Sequence, residues 1–144
     1  MRITLPEGWL YVEEPEPDVI LRAQAAHPAA SGFSATLCIP VGEATAQDLI
    51  DEQREVGEAL LDSLVRPDLE DLDIHDVSGR DAGYLRVAHQ AEGRELITES
   101  WCWVIDGARW VVLATVDCSD YADYCDLIED IVHSFEPPGL AMAR

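Results

Sequence analysis

The residue types that do chemistry are present in this chain, but they are spread rather than gathered. The four histidines, His27, His75, His89 and His133, stand singly. No Gly-x-Ser-x-Gly turn presents a nucleophile, and neither a GxxxxGK[ST] loop nor a GxGxxG fingerprint offers a phosphate cradle. The nearest approach to a metal set is Asp117-Cys118-Ser119-Asp120 with Cys125, which mixes hard and soft ligands at a spacing that fits no zinc pattern. The same residues read more simply as a helix start: Asp117 or Ser119 caps backbone N–H groups, and Asp120 and Asp123 sit near the positive helix end. Adjacent acids such as Asp51-Glu52 carry no acid–base signal in a chain with 29 acidic residues. The sequence thus points to no catalytic residue, no metal and no cofactor, and the expectation is that the protein is not an enzyme.

One polar pair does stand among aromatics. If Asp106-Gly107 is a two-residue type I′ loop, Trp103 faces Trp110 across the hairpin. If Glu92-Gly93 is another, Arg86 faces Glu99 and Tyr84 faces Trp101. Alternate residues of a strand share a side, so Tyr84, Arg86, Glu99, Trp101, Trp103 and Trp110 form one cluster on a sheet face. An Arg86–Glu99 salt bridge there has two readings. It is a cross-strand pair that fixes register, or it belongs to a small-ligand site under a mobile cover. The opposite face carries Leu85, Val87, Thr98, Cys102, Val104 and Val111. Both faces are largely apolar, so both need covering.

The elements that would position this cluster follow from periodicity. The stretch from Glu95 to Phe135 reads as a long hairpin feeding an amphipathic helix, from Ser119 to about Ser134, with Tyr124, Leu127, Ile128, Ile131 and Phe135 on one stripe. An earlier helix is expected from Thr45 to Val65, with Thr45 as N-cap and Asp48 in the capping-box position. Its stripe is Leu49, Gln53, Val56, Leu60 and Leu64, widened by Ile50 and Leu61, and Arg66-Pro67 stops it. Alternating runs at Val19–Ala26 and Phe33–Ile39, then at Ile74–Val77 and Ala82–Gln90, read as strands. The acidic stretches Glu13–Asp18 and Asp68–Asp73 read as connectors. The expectation is an α+β fold, an antiparallel β-sheet covered by helices. One domain spans residues 1–136, and residues 137–144 form a flexible tail.

Charge bounds the partners. Against 29 acids there are 9 bases, all arginine, for a net charge of −20. Such a surface repels phosphate backbones and anionic lipid, so neither nucleic acid nor membrane is an expected partner. Another protein with a basic surface is. The chain is expected to be a monomer or a weak homodimer. No apolar run has signal-peptide or membrane-span length, which gives a cytoplasmic expectation. Cys118 and Cys125 are seven residues apart on a helix pattern, roughly 10 Å and too far to bridge, so reduced and mostly buried thiols are expected.

Leu5–Trp9 (LPEGW), Gly32–Ile39 (GFSATLCI), Gly79–Val87 (GRDAGYLRV) and Glu99–Tyr121, with Ser134-Phe135 after the last helix, give the chain a resemblance to actinobacterial LpqN-type proteins. The resemblance runs from Leu5 to Phe135 and implies the PsbP/Mog-like α/β/α sandwich. Members of that group are lipoproteins, whereas this chain shows no lipobox cysteine. The wider fold implies a non-catalytic binding or adaptor role, a secretion-linked chaperone among its forms, and transfers no catalytic residue. The alternative is a small-molecule binder or enzyme that uses the Tyr84, Arg86, Glu99 and Trp101 cluster.

The charge generates a direct test. Duplex and single-stranded nucleic acid should show no binding at physiological salt in an electrophoretic or anisotropy assay; micromolar affinity without added divalent cation would contradict the electrostatic argument.

Overall fold

The computed structural model describes residues 1–45 and 48–137. Seven strands form one antiparallel sheet in the order β1-β2-β3-β7-β6-β5-β4. They are β1 (Leu10–Glu16), β2 (Val19–Gln24), β3 (Thr36–Glu43), β4 (Val65–Val77), β5 (Arg80–Ala91), β6 (Arg94–Ile105) and β7 (Ala108–Asp117). Helix α1 (Leu49–Ser63) links β3 to β4, and α2 (Tyr121–His133) follows a 3-10 turn at Cys118–Asp120. Among the described residues no helix is long and apolar enough to cross a membrane.

Three two-residue turns set the register of the β4–β7 meander. Ser78-Gly79, Glu92-Gly93 and Asp106-Gly107 all hold positive φ at both positions (55° and 86°, 52° and 75°, 51° and 77°), as a type I′ turn requires. The pairings Tyr84↔Trp101, Arg86↔Glu99 and Trp103↔Trp110 follow as expected from the turns. The two helices then divide the faces. Helix α2 lays Ile128, Ile131 and Val132 on Leu37, Trp103 and Val112, with Phe135 closing the layer. Helix α1 lays Val56 on Leu85, Cys102 and Val111.

Helix α1 differs from its sequence pattern at the start. Asp48, not Thr45, is the N-cap, its Oδ1 accepting from the Asp51 N–H at 2.9 Å. Thr45 instead donates its backbone N–H to Glu52 Oε2 at 2.9 Å. The buried stripe is correspondingly Glu52, Gln53, Val56 and Gly57, while Ile50 is 60% exposed. Glu52 is wholly enclosed and meets Arg109 Nη1 at 3.2 Å. Burial, aided by the Glu52 charge, pushes the nearby Cys102 thiol up to about 12. Of the four free cysteines only Cys102 is fully buried, and Cys118 is exposed, which corrects the expectation of mostly buried thiols.

Both acidic stretches read as connectors lie largely in edge strands, and of the first only Pro17-Asp18 form a turn, between β1 and β2. β1 runs to Glu16 with a register shift between Glu13 and Glu16, and β4 begins at Val65 with shifts between Val65 and Asp68 and between Leu69 and Asp71. An edge has solvent on one side, so it admits proline, bulges and a high density of charge that a central strand would exclude. The tail expected at 137–144 lies outside the described residues from 138 onward, and Pro137 itself is buried.

At one point the α1 face depends on the absence of a side chain. Gln53 Nε2 donates to the carbonyls of Asp73 (2.8 Å) and Tyr84 (3.0 Å), bridging β4 and β5 across Gly83. A Cβ on Gly83 would stand 2.9 Å from both Cβ and Cγ of Gln53. Gly83→Ala should therefore destabilise the fold by about 1–3 kcal/mol in urea unfolding. The cost of Gln53→Ala should be largely shared with it, so the double variant falls short of additivity.

Candidate functional site

The α2 face of the meander holds the polar cluster that the turns assemble. Tyr84 and Arg86 come from β5, Glu99 and Trp101 from β6, and Tyr121 from the first turn of α2. Glu99 is buried, and its Oε2 accepts a short hydrogen bond from the Tyr84 hydroxyl and a second from Tyr121 Oη at 3.2 Å. Arg86, although opposite Glu99 in register, makes no direct ion pair with it. Its Nε reaches Glu70 at 3.2 Å, and its guanidinium lies 5.6 Å from the Tyr121 ring centroid. The expected Arg86–Glu99 salt bridge is thus replaced by two neighbouring arrangements, one carboxylate held by phenols and one guanidinium held by an edge-strand acid. Exchanging the two charges by Arg86→Glu with Glu99→Arg would set a glutamate beside Glu70, so the double exchange does not rebuild an ion pair.

His75 of β4 stacks on Tyr84, with centroids 4.1 Å apart and planes 14° from parallel, and Tyr84 in turn meets Trp101 at 5.2 Å. Together with Asp71, Cys125 and Glu129 these groups line a cleft of about 220 Å³. Trp103 and Trp110 share the face but not the cleft. They lie under the far end of α2, 5.2 and 6.1 Å from the Phe135 ring, and belong to the core. The six-residue cluster therefore divides into four cleft residues and two packing residues.

Burial governs the electrostatics. It pushes the Glu99 carboxyl above its ordinary range, against the opposing hydrogen bonds from Tyr84 and Tyr121 and the Arg86 charge. Burial, then the Glu99 hydrogen bond and charge, raises the Tyr84 phenol well above its usual value. Tyr121 is raised by burial and the Glu99 charge, with Arg86 pulling the other way. Chemically this is a carboxyl kept occupied by two donors, with its nearest cation turned to another acid.

Five cleft residues, Asp71, His75, Tyr121, Cys125 and Glu129, were missed by reading the β5–β7 strands alone. Tyr121 lies one helical turn before Tyr124 and Cys125, so the stripe of α2 held the signal. Glu70 and Asp71 were hidden because their segment reads as a connector. Elsewhere the Asp117 stretch is a helix start as expected: Asp117 Oδ1 accepts from Ser119 N–H at 2.9 Å, and Asp120 Oδ2 accepts from Ser31 Oγ at 2.5 Å. Among the described residues no group of three or more His, Cys, Asp or Glu is placed to hold a metal ion.

The chain matches no protein-family model and no curated protein. Solved structures do resemble it. LpqN of Mycobacterium tuberculosis, a protein involved in cell envelope biogenesis, is 16% identical with a TM-score of 0.66, covering 91% of this chain and 79% of its own. A Pseudomonas aeruginosa protein of unknown function is 15% identical with a TM-score of 0.65, covering 93% and 85%. The cyanobacterial PsbP protein of Synechocystis is 13% identical with a TM-score of 0.64, covering 93% and 84%. At these identities the likeness is one of fold, and the α+β architecture of this chain is the PsbP-like one.

The coupled phenols generate a pH prediction. A phenol raised in the folded state favours folding below its unfolded value of about 10, and that contribution is lost as pH rises through the folded value. Absorbance at 295 nm should show a late-titrating tyrosine component, accompanied by a loss of stability. Tyr84→Phe should remove about half of the late component, leaving Tyr121; an unchanged titration curve would show that Tyr84 is not held by Glu99.

Proposed function

We propose that this protein is a non-catalytic binding or adaptor protein of the LpqN type, acting in the cytoplasm on another protein that presents a basic surface. The observation that carries this reading is the distribution of exposed large apolar side chains. They concentrate on the two edge strands, with Leu10, Tyr11 and Val12 on β1 and Leu69, Leu72 and Ile74 on β4, in a chain of net charge −20. Apolar contact area inside a single-sign field is the composition of a surface that attracts an oppositely charged protein and then binds it.

The polar cleft supports the same reading. At about 220 Å³ it falls below the roughly 300–1,000 Å³ of ordinary small-molecule sites, and its carboxyl is already satisfied by two phenols. Its groups hold α2 to the sheet.

The test is affinity capture with the full chain at low and at high salt, followed by mass spectrometry of co-purifying proteins and small molecules. The expected result is a protein with a basic surface, retained at low salt, released by high salt and resistant to nuclease. A stoichiometric small molecule with no retained protein would overturn the reading in favour of the cleft.

A further inference from the structure

The two sides of edge strand β4 differ in chemistry. On the α1 side stand Leu69, Leu72 and Ile74, opposite Val87, Leu85 and Gly83, and they are 43%, 57% and 36% exposed. Register sets Leu72 beside Leu85, which packs under α1, and Asp76 follows on the same side opposite Asp81. On the α2 side stand Asp71 and Asp73, opposite Arg86 and Tyr84. From Asp71 to Val77 the strand pairs with β5 without a register shift, and among the described residues no strand pairs with its other side. A sheet edge of this kind is a template for another strand.

Its backbone is not left open. Asp71 Oδ1 accepts from the N–H of Leu72 at 2.9 Å, and Asp73 Oδ1 accepts from the N–H of Ile74 at 2.8 Å. Strand alternation sends these two N–H groups to the same side, and each is taken by the carboxylate of the preceding residue.

We propose that the regular half of β4, from Asp71 to Val77, is a docking edge for an extended segment of another protein in which basic and apolar residues alternate, with Asp71 and Asp73 as its gate. The inference rests on the reading of this protein as a binder of basic partners. An added strand projects alternate side chains to opposite faces, so one set lies beside Leu72 and Ile74 and the other beside Asp71 and Asp73. The first set must be apolar and the second cationic. Lysine or arginine at the second set draws the two carboxylates away and frees the N–H groups for the incoming carbonyls. A neutral strand lacks that means of release. A second copy of this edge is disfavoured because Asp68, Glu70, Asp71, Asp73 and Asp76 would face their own kind.

The experiment uses the full chain and three labelled peptides in fluorescence anisotropy: an alternating arginine/lysine–valine octapeptide, a block peptide of the same composition, and a neutral threonine–valine alternating peptide. The alternating basic peptide is expected to bind at least tenfold tighter than the block peptide, and the neutral one not at all. Leu72→Lys should weaken the alternating peptide about tenfold. The Asp71→Ala, Asp73→Ala double variant should lose the basic peptide and gain the neutral one. Hydrogen exchange on the unaltered protein gives an independent readout, with the bound peptide expected to add protection at residues 71–77. Equal binding of block and alternating peptides, with no added protection at β4, would overturn the docking edge while leaving a basic partner in place. Failure of both basic peptides to bind at low salt would overturn the basic-partner reading as well.

Discussion

Three tight turns carry the structure. With positive φ at both central residues of Ser78-Gly79, Glu92-Gly93 and Asp106-Gly107, the β4–β7 meander has one register, and a slip of one residue would exchange its two faces. Everything with specificity in the fold depends on that register. It places Leu85 and Cys102 under α1, sets Trp103 and Val112 under α2, and delivers Glu99 to the same face as Tyr84.

Each face then accepts a buried carboxylate, and each solves the problem differently. Under α1, Glu52 is met by Arg109 and by the backbone and hydroxyl of Thr45. Under α2, Glu99 is met by two phenols, and burial raises its affinity for a proton. A charge removed from water is costly unless it is paired or well hydrogen-bonded, so these partners constrain where each helix can sit. The N-terminal turn of α1 is tied to the end of β3 by Thr45, and the first turn of α2 is tied to β6 by Tyr121. The acidic residues thus fall into two populations, a few enclosed ones that locate helices and many exposed ones that set the field around the molecule.

The exposed population is not evenly spread in consequence. On β4 Asp71 and Asp73 stand on the α2 side while Leu69, Leu72 and Ile74 stand on the other, where Asp76 follows them, and two of the acids cap the backbone of their own strand. That arrangement keeps an open edge soluble without bulky cover. It also means that the surface most exposed to a partner is the one whose charge and apolar content are both high.

The sequence by itself determined the sheet register, the pairing of the two amphipathic helices with two apolar faces, and the helix start at Asp117. Each of these rests on local chemistry: an Asp-Gly turn, a stripe of spacing 3.6, a carboxylate able to cap the next turn. It did not determine the partner of Glu99, the true cap of α1, or the strand identity of residues 65–73. Those outcomes depend on groups distant in the chain. Arg86 turned to Glu70 because β4 forms the neighbouring strand, and Glu99 took Tyr121 because α2 returns across the face, so opposition in register was not enough to make an ion pair. Ile50, apolar and periodic, faces solvent because Glu52 found Arg109 on the sheet and fixed the rotation of the helix. Periodicity names the faces of an element; which residues meet across them is decided only when the elements are brought together.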